Sequence, residues 1–265
     1  MPETRGVTIL MYHWISGDPG QRLRHWGVTP EQFAAQVRWL HEEGFRTLTL
    51  DQVVQVVTGL APMPERGVAL TFDDGYRDFL EGASQVLMDH GFTATIFLVA
   101  DRVGETNSWD ARLGDPPRRL LSWSEARYLA RRGFELGSHA RTHRPLPALP
   151  DRELDDEIGG SKAILEDRLG LPVRHFSYPH GELDARCVRR VRAAGYASAC
   201  YDRRGDNRRG VNPHLLKRSL ITCHEGRWSF SFKARTGFGI REWTAARWAA
   251  LRRHPGAAVT MGGRP

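Results

Sequence analysis

Four stretches of this 265-residue chain concentrate side chains that can hold a cation or move a proton. In TFDDGY, Asp73 and Asp74 are adjacent, and two neighbouring carboxylates repel unless a cation neutralises one of them; Asp-Gly is also an ordinary turn pair. In ELGSHARTH, His139 and His143 are four residues apart and can converge on one ion, though the same spacing fits two solvent-facing histidines on a turn. Together with Asp74 they form a two-histidine, one-carboxylate set that leaves coordination positions open for water or substrate. RHFSYPHG carries Arg174 and ends Tyr178-Pro-His-Gly181, a tight turn whose free amides can face a cleft. VTILMYHW runs from five apolar or β-branched residues straight into His13, a histidine where a core strand stops.

Strand-like and helix-like segments alternate around these stretches. Strands are expected at Val7–Met11, Arg46–Leu50, Val68–Phe72, Thr93–Val99, Phe134–Ser138, His175–Tyr178, Ala197–Tyr201 and Lys217–Thr222. Between them, Thr29-Pro30 starts a helix that ends at Gly44, and Asp51 is read as the cap of a short helix stopped by Gly59. Further helices are expected over Ser124–Arg132, from Asp151 to Gly170 and over Asp184–Ala194. Continuous apolar strands alternating with helices indicate an α/β protein with a parallel sheet, and about eight strands in roughly 220 residues suit a closed barrel better than an open sheet, a choice that periodicity alone does not make. In such barrels chemistry gathers at the carboxyl ends of the strands, where all four stretches fall.

TFDDGY, ELGSHARTH and RHFSYPHG, in this order and each at a strand end, resemble the polysaccharide deacetylase superfamily, the NodB-homology domain of carbohydrate esterase family 4. The resemblance covers roughly Val7 to Thr222. It implies a distorted (β/α) barrel of seven to eight parallel strands and a divalent metal, most often Zn2+, held by Asp74, His139 and His143, with Asp73 as general base, Arg174 orienting or tuning Asp73, and the backbone amide of Tyr178 facing the oxyanion. The family's acid is a histidine in Leu-x-x-His on the last strand. Here Leu10-Met-Tyr-His13 stands on the first strand, which resembles the circularly permuted branch and makes His13 the acid; Ile221-Thr-Cys-His224 is the competing match. No clear counterpart of the family's Asp-rich fourth motif is visible, and Asp202 and Asp206 are candidates for it. The implied activity is removal of N-acetyl groups from a glycan or glycan precursor containing N-acetylhexosamine. Alternatives are an O-acetyl esterase, a glycan-binding pseudoenzyme on the same barrel, or a non-haem iron oxygenase with the same ligand types.

Composition sets the outer limits. A hydrophobic fraction of 40% and a charged fraction of 26% are ordinary for a globular protein. The net charge of +7 leans towards anionic partners, but no clustered basic stripe or nucleic-acid motif occurs, so nucleic acid is not expected as a partner. Cys187, Cys200 and Cys223 form no CxxC pair, which points away from a disulfide framework or thiolate zinc site. No signal-peptide pattern or membrane-spanning run is seen, so a cytoplasmic location is expected. Residues 1–225 are read as the catalytic barrel. Residues 226–265 are a basic, aromatic-rich extension, expected to pack on the barrel as helix and also suited to touching a membrane surface through Trp228, Trp243 and Trp248. Trp109 and Trp123 flank a loop on the active rim and are candidate sugar-stacking or core residues.

Overall fold

The computed structural model describes residues 6–17 and 24–240. Its main sheet is a ring of mostly parallel strands: Val7–Tyr12, Gly67–Phe72, Thr95–Leu98, Glu135–Ser138, His175–Ser177, Ser198–Tyr201 and a last strand split into Leu216–Lys217 and Ser219–Leu220, with the short strand Asp206–Asn207 antiparallel to the start of Val7–Tyr12. The first half of the split strand pairs with Ser198–Tyr201 and the second half pairs with Val7–Tyr12, so the sheet meets itself across Arg218. The first strand therefore lies between Gly67–Phe72 and the end of the chain's last strand, with Leu10 opposite both Leu70 and Ser219.

Side-chain alternation along each strand decides what faces the barrel interior. On the first strand Leu10 and Tyr12 point outward to the helices: Tyr12 stacks on Phe72 at 5.1 Å, and its hydroxyl donates to Gln36 at 2.9 Å. Val7 and Ile9 point inward, where they meet Ala69, Phe97, Cys200 and Leu216 in a plug that fills the middle of the barrel. Met11 and His13 continue on the inward side and reach the cavity above the plug. The same parity puts Asp73, His139, Ser177 and Arg218 inside and leaves Phe72, Ala140, Phe176 and Tyr178 in the helix-facing core.

The helices begin and end largely as their sequences indicate. Thr29 closes a capping box with Gln32 at the start of Pro30–Glu42. The second helix, Leu50–Thr58, is capped by Thr49 and not by Asp51, which lies inside its first turn; Gly59 stops it in the left-handed conformation. Because that box starts the helix so early, the strand expected over Arg46–Leu50 shrinks to Arg46–Thr47. Helix Arg227–Thr236, at the start of the C-terminal stretch, buries Phe230 and Ala234 in the same core as the barrel helices, while Trp228 is 75% exposed. The remainder of that stretch, including Trp243 and Trp248, lies outside the described residues. Among the described residues no helix is long and apolar enough to cross a membrane.

Gly137 shows how tightly the strand carrying His139 is fitted. A Cβ at this position would stand 2.5 Å from the Phe97 ring and 3.0 Å from the His175 carbonyl oxygen, and the ring belongs to the plug. Overpacking of this kind costs about 1–3 kcal/mol. Gly137→Ala is expected to lower the unfolding free energy from urea titration by that amount, moving the midpoint to lower urea, and an unchanged midpoint would mean that the plug yields without cost.

Candidate active site

The carboxyl ends of the strands open into a cavity of about 270 Å3 lined by His13, Asp73, Asp74, His139, His143 and Arg218, with Trp14, Trp26, Tyr76 and Trp109 among its aromatic walls. Every non-glycine residue with positive φ among those described stands at this rim: Asp74 at 69°, Ala140 at 62°, His143 at 66° and His180 at 59°. Such conformations are uncommon for L-residues and persist only where surrounding structure imposes them. The sharp turns let each strand end deliver two useful groups to the cavity.

Asp74 Oδ1 lies 3.2 Å from His143 Nε2 and 3.4 Å from His139 Nε2. His139 Nδ1 is 2.8 Å from the Ser177 carbonyl oxygen, which can only accept; Nδ1 therefore carries the proton and Nε2 presents its lone pair to the cavity. Burial pushes His139 down to about 4, which keeps the ring neutral at physiological pH, although the nearby Asp73 and Asp74 charges oppose that shift. Asp74 Oδ1 is buried without a hydrogen-bond partner. An unpartnered buried carboxylate oxygen between two imidazole nitrogens fits a divalent cation as the missing partner. Burial alone would raise the Asp74 carboxyl, but the facing histidines hold it well below the usual range. Trp109 and His180 flank the His143 ring at 4.6 and 4.5 Å. Trp109 thus supports a candidate ligand, whereas Trp123 packs against the helical core under Arg168.

Asp73 does not share this arrangement. Arg218 grips it with both ends of the guanidinium, Nη1 to Oδ1 at 2.6 Å and Nη2 to Oδ2 at 2.8 Å, and also donates to Ser177 Oγ at 2.9 Å. Arg218 and Asp73 are buried, at 1% and 3% exposure. Burial would raise the Asp73 carboxyl, but Arg218 and His139 outweigh it and keep the group below its ordinary value. His13 is half-buried and stands edge-on to Trp26 at 4.5 Å; burial lowers its pKa, against the pull of Asp74 and Asp73. His224, the competing match, is exposed, and its backbone amide is turned to Thr222 Oγ1.

Two expected residues are placed differently. Arg174 precedes its strand instead of ending it, so its guanidinium lies at the far end of the barrel, 2.8 Å from Asp51, and does not reach Asp73. The arginine that holds Asp73 is Arg218, and its one sequence signal is a Lys-Arg pair interrupting the apolar run from Leu215 to Ile221. The Tyr178 amide is occupied by the Cys200 carbonyl at 3.0 Å as the strand ladder continues past Ser177. In the following turn, Pro179 has no N–H and the Gly181 amide donates to the Tyr178 carbonyl at 3.0 Å, which leaves the amide of His180, a left-handed residue that lines the cavity. Asp202 lines the cavity wall, and Asp206 pairs with Arg208.

The polysaccharide deacetylase family profile matches residues 61–199. The chain belongs to that family. A putative polysaccharide deacetylase of Bacillus subtilis is 29% identical over 216 residues, covering 82% of this chain and 71% of the relative. The poly-beta-1,6-N-acetyl-D-glucosamine N-deacetylase of Escherichia coli is 28% identical over 138 residues, covering 51% of this chain and 20% of that protein. Among solved structures, IcaB from Ammonifex degensii superposes with a TM-score of 0.75 at 25% identity, covering 88% of this chain and 97% of that one. A polysaccharide deacetylase of Bacillus cereus gives 0.72 at 27% identity, covering 86% and 69%. The barrel is thus the deacetylase barrel, and the protein is a hydrolase of the deacetylase class.

The arginine exchange gives a direct test. Arg218→Met leaves Asp73 buried and unpaired, so its carboxyl pKa should rise and stability should fall by about 3–5 kcal/mol. Arg174→Met should leave the Asp73 carboxyl where it is. Carbon-13 titration of the aspartates together with urea unfolding reads both, and a shift of Asp73 in Arg174→Met would return that residue to the site.

Proposed function

We propose that this cavity hydrolyses the N-acetyl amide of a glycan containing N-acetylhexosamine. The observation that carries the reading is the division of labour between adjacent carboxylates: Asp73 is neutralised by Arg218, while Asp74 is left facing His139 and His143 with an unpartnered oxygen. The likeness to the poly-beta-1,6-N-acetyl-D-glucosamine N-deacetylase of Escherichia coli supports the substrate class.

Asp74, His139 and His143 would hold a divalent ion, Zn2+ on the borderline N/O character of the donors. When bound, such an ion supplies a Lewis acid that makes a water more acidic and polarises a carbonyl. The chain's own groups do the rest. Asp73, kept ionised by Arg218, takes the proton of the attacking water. The His180 amide takes the oxyanion-facing role expected of Tyr178; one such donor is worth about 3 kcal/mol of barrier. His13 gives a proton to the departing amine, without which the carbon–nitrogen bond does not break readily. Trp26 and Trp109 form apolar walls of the kind on which a sugar ring packs.

Acetate release from oligomers of N-acetylglucosamine should be abolished by a chelator and restored by Zn2+. Asp73→Asn should keep the ion and lose turnover. His13→Ala should lose roughly 10²-fold or more in kcat on the amide and far less on an activated acetyl ester, whose leaving group departs without a proton. Equal losses on both substrates would remove His13 from the acid role, and activity that survives full chelation would remove the ion.

A further inference from the structure

Two clusters among the described residues bring three ligand-type atoms together; one is the cavity set and the other is Asp51, Glu135 and His175. The second lies at the amino-terminal end of the barrel. Glu135 and His175 open the two strands that lead to His139 and Ser177, and Asp51 comes from the first turn of helix Leu50–Thr58. The plug of Ile9, Ala69, Phe97, Cys200 and Leu216 fills the interior, with Phe97 paired to Gly137 midway between Glu135 and His139.

His175 is 1% exposed. Its Nδ1 is engaged by Ser198 Oγ at 2.8 Å. Its Nε2 lies 3.1 Å from Glu135 Oε1 and 3.3 Å from Asp51 Oδ1, yet makes a hydrogen bond of proper geometry with neither. The buried nitrogen is aimed into the cluster without a hydrogen bond of proper geometry, although the two carboxylates outweigh burial and raise its pKa. These separations are close to the 3.2 and 3.4 Å of the cavity set, and donors about 2.1 Å from a shared ion fall near such spacings. The carboxylates are held in advance. Glu135 accepts from the Leu50 amide at 2.9 Å and from Thr95 Oγ1 at 2.6 Å, and Asp51 Oδ1 accepts from Arg174 Nε at 2.8 Å. Hydrogen bonds of this kind orient ligating carboxylates from outside the coordination shell.

We propose that Asp51, Glu135 and His175 bind a second divalent transition-metal ion, which ties helix Leu50–Thr58 to the floor of the barrel and has no part in turnover. Arg174, which has no place beside Asp73, orients one of its ligands. The rival occupant is a proton: an imidazolium between two carboxylates also balances charge. The two differ in stoichiometry.

The test is zinc content by mass spectrometry after equilibration with Zn2+ and dialysis. The wild-type chain should hold two ions per chain, and the double variant His139→Ala/His143→Ala should hold one. In that background Zn2+ should raise the melting temperature, and Glu135→Gln should abolish the rise. Asp51→Asn, a change at a more exposed position that spares the buried residues, should weaken Zn2+ binding at least tenfold by calorimetry. One ion in both wild type and double variant would keep this site and remove the cavity ion. No ion in the double variant, or a melting rise that survives Glu135→Gln, overturns the proposal and leaves His175 as a charged latch.

Discussion

The buried pair between Asp73 and Arg218 joins the strand that delivers the reactive carboxylates to the strand that closes the barrel, across 145 residues of chain. Removing two charges from water is costly, and the pair is tenable because its geometry is bidentate and because Thr71 and Ser177 each accept a further Nη proton, which leaves Nε as the one guanidinium donor without a hydrogen-bond partner. Arg218 sits where the last strand breaks between Lys217 and Ser219, so the ion pair lies at the seam of the ring. It also separates the two aspartates chemically. With Asp73 neutralised internally, Asp74 keeps an oxygen without a hydrogen-bond partner between His139 and His143.

Strand parity extends that constraint around the barrel. Inward positions on successive strands build three levels: charged groups at the floor, an apolar plug, and the cavity set above it. The plug keeps the two polar levels apart and fixes their height, because Phe97 fits over Gly137 with no room for another methyl group. A one-residue slip would exchange the inward and outward sets on a strand, sending His13 or His139 into the helical core. Left-handed backbone at Asp74, Ala140, His143 and His180 then turns each chain inward immediately after its strand.

The electrostatics of the cavity follow from these placements. Burial disfavours charge on His139, so its ring is presented as a neutral imidazole beside two carboxylates that lie below their ordinary values; His13 is also lowered by burial, but Asp74 and Asp73 pull it back towards the protonated form that an acid needs. A neutral ring at His139 and ionised carboxylates at Asp73 and Asp74 are the protonation states that the proposed water activation requires, and they rest on contacts that exist before any substrate arrives.

Much of this was legible along the chain because it is local. Alternating apolar runs specify the strands, Thr29 and Gly59 mark helix ends, and DDG, the His139–His143 spacing and the PHG turn each carry their chemistry within a few residues. The place of His13 at a strand end was legible too, since the strand that ends at it is strongly apolar, but all six positions are buried and only the fold shows which of them face inward. What the linear order could not supply is pairing between distant charges. Arg174 and Arg218 are both arginines near strands, and only the fold shows that one enters its strand at the floor while the other faces the cavity. The Tyr178 amide likewise looked free until the neighbouring strand supplied Cys200 as its acceptor. The sequence by itself determined which groups stand at which strand end. The tertiary structure decided which charges meet, because that depends on ring closure and on the register between strands far apart in the chain.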